Sequence, residues 1–236
     1  NEYFNLSKKI WSTGILTHNG PYVQKFEKDL KKSLKVNNLS VVANGTLAIQ
    51  LAIKSLNLKG EIITTPFTWI ATIDAIIWEK CKPIFVDVEL DTFNINPDLI
   101  EKKITKHTVA ILGVHTFSNP CNVEKIGKIA KKHDIKVIYD AAHSMFANYK
   151  KKTILSYGDV SATSLHATKI LNSVEGGVCI SKNQTLDKKI KKIRFFGFDN
   201  KGVIKNFGTN AKMTEMHAIM GILNLKNIKK ILSERK

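Results

Sequence analysis

Residues 40–65 read S-V-V-A-N-G-T-L-A-I-Q-L-A-I-K-S-L-N-L-K-G-E-I-I-T-T. Ser40 opens a short apolar run suited to a buried strand, and Asn44-Gly45-Thr46 breaks it. The strong helix formers from Leu47 to Leu56 follow directly. After Gly60, residues 61–65 return to a β-branched run. A strand, a short break, a helix and a second strand begin an alternation of strands and helices.

The same alternation continues in both directions. Residues 1–21 are mixed and end in the loop L-T-H-N-G-P. A helix is expected after Pro21, where Val23, Phe26, Leu30 and Leu34 recur at helical spacing. Beyond Thr65, a helix is expected from Thr68, a strand over 83–88, a helix over 97–104 and a strand over 108–114. A helix over 123–133 and a strand over 136–139 come next. Strands over 160–165 and 178–181, a helix over 185–196, a glycine-bearing loop to Gly208 and one long helix over 213–232 complete the chain. This order predicts the α/β class, with a mostly parallel central sheet covered by helices on both faces. Ligands of such sheets sit at the carboxyl ends of the strands.

The chain has 236 residues, 43% hydrophobic and 24% charged, which suits one large domain, or one domain plus part of another, with a substantial core. Lys plus Arg number 37 against 20 Asp plus Glu, a formal net charge of +17. The excess is spread along helices, as in K-D-L-K-K, A-K-K-H and D-K-K-I-K-K-I-R, without interleaved aromatics. That pattern reads as a solvated surface rather than a nucleic-acid interface, and its field favours a small anion such as a phosphate or nucleotide. Cys81, Cys121 and Cys179 are far apart and in no metal-ligand spacing, so reduced thiols in a cytoplasm are expected. No run approaches the roughly 20 apolar residues of a membrane helix, and the first residues lack a signal-peptide core.

Four features fall at strand ends. Asn44-Gly45-Thr46 before a helix is the recipe for an anion site, and equally for a plain helix N-cap. Trp69 offers a flat stacking face, or is a core tryptophan at a helix start. Asp140 ends the apolar run V-I-Y-D, where a carboxylate needs a cationic ring nitrogen or ordinary hydrogen-bond partners. Lys169 stands in S-A-T-S-L-H-A-T-K-I-L-N-S-V-E-G-G, residues 161–177, with hydroxyls beside it and glycines behind. A phosphate site, a stacking face, an acid for a pyridinium and an amine together describe pyridoxal phosphate.

The chain resembles the DegT/DnrJ/EryC1/StrS family of nucleotide-sugar aminotransferases. The stretches that carry the resemblance are L-T-H-N-G-P-Y-V-Q-K-F-E, A-N-G-T-L-A-I-Q-L-A-I, T-P-F-T-W-I-A-T, P-I-F-V-D-V, G-V-H-T-F-S-N-P-C-N-V-E-K-I, Y-D-A-A-H-S, T-S-L-H-A-T-K-I-L-N-S-V-E-G-G and N-A-K-M-T-E-M-H-A-I-M-G. They span nearly the whole chain in the family's order. The resemblance implies a type I, aspartate-aminotransferase-like large domain over 1–236 that includes the segment 1–21, with the family's small C-terminal domain absent. It implies pyridoxal 5'-phosphate as cofactor, no metal, and L-glutamate as amino donor. The implied substrate is dTDP-4-keto-6-deoxyglucose, aminated at C4 for cell-surface polysaccharide synthesis.

The same resemblance implies residue roles. Lys169 joins the cofactor covalently and shuttles the proton, and Asp140 pairs with the ring nitrogen. Trp69 stacks on the ring, and Gly45, Thr46 and Ser164 hold the phosphate. His143 lies beside the cofactor. Asn210 reaches the phosphate of a neighbouring subunit, which implies a homodimer with its active site at the interface. The competing readings are amination at C3, a truncated inactive member, and a basic nucleic-acid-binding or scaffolding protein. A dehydratase branch of the family carries histidine in place of the lysine, so Lys169 favours transamination.

Overall fold

The computed structural model describes residues 2–199, 202–204 and 207–234. Helix α1 (Glu2–Thr13) and helix α2 (Pro21–Leu34) lead into strand β1 (Leu39–Val42) and α3 (Gly45–Ser55). Then come β2 (Glu61–Thr64), α4 (Ile70–Trp78), β3 (Lys82–Phe85) and α5 (Pro97–Ile100), which tightens into a 3-10 turn at Glu101–Lys103. Next are β4 (Thr108–Val114), α6 (Val123–Lys132), β5 (Lys136–Asp140) and a small hairpin of β6 (Asn148–Tyr149) and β7 (Lys152–Thr153). The chain continues through β8 (Val160–Ser164), β9 (Gly177–Ser181), α7 (Gln184–Ile193), α8 (Glu215–Lys226) and α9 (Ile228–Glu234).

Seven strands form one sheet in the order β1-β9-β8-β5-β4-β2-β3. The pairs from β8 through β5, β4 and β2 to β3 are parallel, while β9 runs antiparallel to both β8 and β1. Strands β1, β8 and β9 are buried along their whole length because both faces of the sheet are covered there. Ile62, Leu112 and Ile138 turn to one side, where Ala48 and Leu51 of α3 and Ile190 of α7 pack on them. Ile63, Ile111 and Tyr139 turn to the other, against Phe26 and Leu30 of α2 and Ile126 of α6. That one-residue alternation is the pleat of the sheet.

Helix α2 begins at Gly20-Pro21 with no side-chain cap of its own. The buried carboxylate of Glu215, at the start of α8, supplies one by accepting the N–H groups of Tyr22 (2.7 Å) and Val23 (2.9 Å). An anion at a helix N-terminus also meets the positive end of its dipole. This contact ties the end of the chain to its beginning.

The structure departs from the sequence expectations in four places. Residues 2–13 are helical, although Phe4 and Trp11 are exposed and only Ile10 is buried, so no apolar face announces the helix. The long terminal helix is two helices, interrupted at Asn227, whose side-chain amide donates to Leu223 O at 2.9 Å. Asparagine competes with the helical backbone in this way. The expected strand over 83–88 stops at Phe85, and the expected helix over 97–104 keeps only one α turn. Among the described residues, no helix is long and apolar enough to cross a membrane.

Candidate active site

The carboxyl ends of β4, β5 and β8 and the N-termini of α3 and α4 border one cavity of about 850 Å³. Parallel strands bring their carboxyl ends to one edge of the sheet, so residues distant in sequence converge there. Gly45, Thr46, Trp69, Asp140, His143, Ser164 and Lys169 all line it.

Asn44 is the N-cap of α3, extended at φ −163°, and its Oδ1 accepts the N–H of Leu47 at 2.8 Å. The capping reading of Asn44 therefore holds. The anion reading of the next two residues stands beside it, because the first N–H groups of a helix have no partner within it. Space there is tight by construction. A Cβ on Gly45 would lie 3.0 Å from Ser164 Cβ, and a Cβ on Gly177 would lie 2.3 Å from the Asn44 carbonyl oxygen. The two glycines thus let these backbone segments pack closely, with Ser164 Oγ 3.3 Å from the Cβ position of Gly45.

Asp140 is only 5% exposed. Its Oδ2 accepts the Thr72 hydroxyl at 2.6 Å and its Oδ1 accepts the Ala142 N–H at 3.1 Å. Thr72 of α4 lies within hydrogen-bond reach of Thr68, just before the helix, at 2.7 Å, so two hydroxyls brace the carboxylate. Burial holds the Asp140 carboxyl above the usual range, and the Thr72 hydroxyl, the Ala142 amide and the charges of His143 and Lys169 work against that rise. No ion pair to Asp140 occurs among the described residues within salt-bridge distance. The site is a buried acid facing a cavity and short of a cation.

Lys169 sits in the turn after β8, its N–H donating to His166 O at 2.9 Å. Burial lowers its ammonium pKa, against the pull of Asp140. His143 is lowered by burial and then by Lys169, with Asp140 opposing. Its ring stacks on Phe117 with centroids 5.9 Å apart. Trp69 is the N-cap residue of α4 and is 79% exposed on the cavity wall. The alternative of a core tryptophan does not hold, and a large flat face is open to a ligand.

His115 belongs with the core. It is buried, stacked on Tyr139 at 4.4 Å, and its Nδ1 accepts the Cys121 N–H at 3.1 Å. Burial pushes its pKa down to about 3, so the ring is neutral. Asn210 is exposed, bridged to Phe195 and hydrogen-bonded by Lys212, and does not line this cavity. Arg194 is buried away from the cavity with Glu27, the Val41 carbonyl and Asn19. Arg235 lies outside the described residues. Sequence reading missed Thr68, Thr72, Phe117 and Glu175. The signal for the first two was their four-residue spacing in T-W-I-A-T, across the start of the helix that faces Asp140.

The sequence profile described as the DegT/DnrJ/EryC1/StrS aminotransferase family matches residues 1–236. The chain is 39% identical over 234 residues to a dTDP-4-amino-4,6-dideoxy-D-glucose transaminase of Shigella dysenteriae, covering 99% of this chain and 64% of that protein. It therefore spans about 64% of the length of this curated relative. The crystal structure of DesI in the presence of its TDP-sugar product superposes with a TM-score of 0.92 at 32% identity, covering 97% of this chain and 58% of that one. NtdA from Bacillus subtilis with bound cofactor PMP gives a TM-score of 0.88 at 30% identity, covering 96% and 52%.

Proposed function

The chain belongs to the DegT/DnrJ/EryC1/StrS aminotransferase family, and on that premise we propose that it moves an amino group from L-glutamate to a nucleotide-linked keto-deoxysugar with pyridoxal 5'-phosphate as cofactor. We infer the sugar to be dTDP-4-keto-6-deoxyglucose, aminated at C4; the likeness to the Shigella transaminase supports this choice. The observation that carries the reading is the meeting of buried Asp140, open Trp69 and Lys169 on one cavity wall, beside a glycine-bearing helix N-terminus.

The residues present suit that cofactor. A protonated ring nitrogen is the cation that the Asp140 carboxylate lacks, and the hydroxyl of Thr72 and the amide of Ala142 keep that carboxylate oriented. Trp69 supplies the stacking face. The N–H groups at Gly45 and Thr46 and the Ser164 hydroxyl supply donors for the phosphate, where a side chain on residue 45 would crowd Ser164. When bound, pyridoxal phosphate supplies an electron sink that acidifies the carbon bearing the amino group.

Lys169 does the proton work. Because burial lowers its pKa, more of it is the neutral amine at a given pH than for an exposed lysine. Its Nζ takes the α-proton of L-glutamate in the first half-reaction and returns a proton to the sugar C4 in the second. Asp140 keeps the proton on the ring nitrogen through both. His143, held toward its neutral form by burial, adds little repulsion to that exchange. We infer a homodimeric active form in which the exposed Asn210 serves the partner's phosphate corner.

Incubation of the protein with pyridoxal phosphate, L-glutamate and dTDP-4-keto-6-deoxyglucose yields 2-oxoglutarate and a product whose mass and NMR spectrum place the amine at C4. An amine at C3, or no amino sugar at all, overturns the assignment.

A further inference from the structure

Glu175 is the carboxylate on the cavity wall that transamination leaves without a task. It lies at the mouth, half exposed, with Oε1 3.7 Å from Nε2 of His166, whose own Nδ1 lies 3.0 Å from Thr168 Oγ1. A side-chain contact this exposed adds little to stability, so holding the fold together is a poor account of it.

The turn that presents Glu175 is fixed from several sides. Val174 has φ 68°, a left-handed conformation that a β-branched residue rarely adopts. Such strain persists only where the surroundings over-determine it. Here the N–H of Ser173 donates to Leu165 O at 2.9 Å and that of Leu165 donates to Gly176 O at 2.8 Å. The Ser173 hydroxyl also donates to the Glu175 carbonyl at 2.9 Å. Behind the turn, a Cβ on Gly176 would lie 2.3 Å from Ser173 Oγ, and one on Gly177 the same 2.3 Å from Asn44 O. The turn therefore packs directly on the loop that caps α3. Glu175 is held at a set position relative to both the phosphate corner and Lys169.

We propose that Glu175 is a specificity-determining residue that accepts hydrogen bonds from the ring hydroxyls of the sugar, with His166 as its orienting partner. The inference rests on the sugar-transaminase reading above. A carboxylate accepts and does not donate, and it repels the carboxylates of an amino donor and the pyrophosphate of a nucleotide. Ring hydroxyls are neutral donors that L-glutamate lacks. Asp140, the other acid on the wall, lies at the bottom and is engaged by Thr72 and Ala142. The acid at the mouth therefore serves the sugar, and the two substrates that use the cavity in turn are told apart by a contact that only one of them makes.

Calorimetric titration of the holoenzyme with dTDP-4-amino-4,6-dideoxyglucose and with dTDP alone tests this. Glu175→Gln weakens binding of the sugar nucleotide about tenfold and leaves that of dTDP unchanged. Glu175→Ala, which removes the acceptor outright, weakens the sugar nucleotide further with the same selectivity. Equal loss for both ligands, or no loss for either, overturns the proposal. A wild-type holoenzyme that binds neither ligand overturns the sugar-transaminase reading, and this inference with it.

Discussion

Lys169→Ala eliminates the absorbance band, roughly 410–430 nm, that pyridoxal phosphate shows when joined to a protein amine. It also lowers transamination by about 10⁵-fold or more, the scale of losing a catalytic nucleophile. The expected loss is this large because the proposed function gives Lys169 Nζ two duties, as covalent partner and as proton carrier in both half-reactions. The fold does not depend on it. The side chain stands at the cavity, its backbone N–H bonds to His166 O, and the ammonium is already disfavoured by burial. The melting temperature of the variant therefore stays close to that of wild type. A variant that keeps both the band and the rate contradicts the assignment.

Asp140→Asn separates function from stability. The amide is nearly isosteric: its Oδ1 still accepts the Ala142 N–H, and its Nδ2 can donate to Thr72 Oγ1. It cannot hold a cation. Transamination falls by about 10²–10³-fold, the scale of losing one preorganised electrostatic contact. The cofactor-free protein, in contrast, becomes more stable at neutral pH. Burial holds the folded Asp140 carboxyl above its unfolded value, so between those two values the folded state binds more protons. Its stability then falls as pH rises through that window. The variant lacks this titration, so its melting temperature exceeds that of wild type at neutral pH, and the gap closes as the pH is taken below the unfolded carboxylate value. Thermal melts at acid and neutral pH, without cofactor, check the sign.

How far the sequence carries is set by whether each signal is local. Strand, break and helix over residues 40–65 are local, and the sheet follows the expected alternation from β1 to β9. Gly45, Thr46, Trp69 and Asp140 were nameable because each sits at or just past a strand end or helix start, Lys169 from the hydroxyls and glycines around it, and His143 and Ser164 from the family resemblance; the topology brings all seven to one cavity. The burial of Asp140 was implicit in V-I-Y-D. Its brace was not, since Thr68 and Thr72 lie on another element and meet it only through packing of α4. Helix α1 was hidden because its larger apolar side chains face outward, and the break at Asn227 because no proline or glycine stands beside it. Glu175 was visible as a letter in V-E-G-G, but its strained turn and its partner His166 needed coordinates.

The central claim is that one lysine, in a chain with 37 Lys plus Arg, has the surroundings of a cofactor amine. Borohydride reduction of the protein loaded with stoichiometric pyridoxal phosphate, followed by peptide mass spectrometry, tests it directly. The account predicts a single phosphopyridoxyl-labelled peptide, modified at Lys169. Label on another lysine, or scattered over many with Lys169 unmodified, would contradict it.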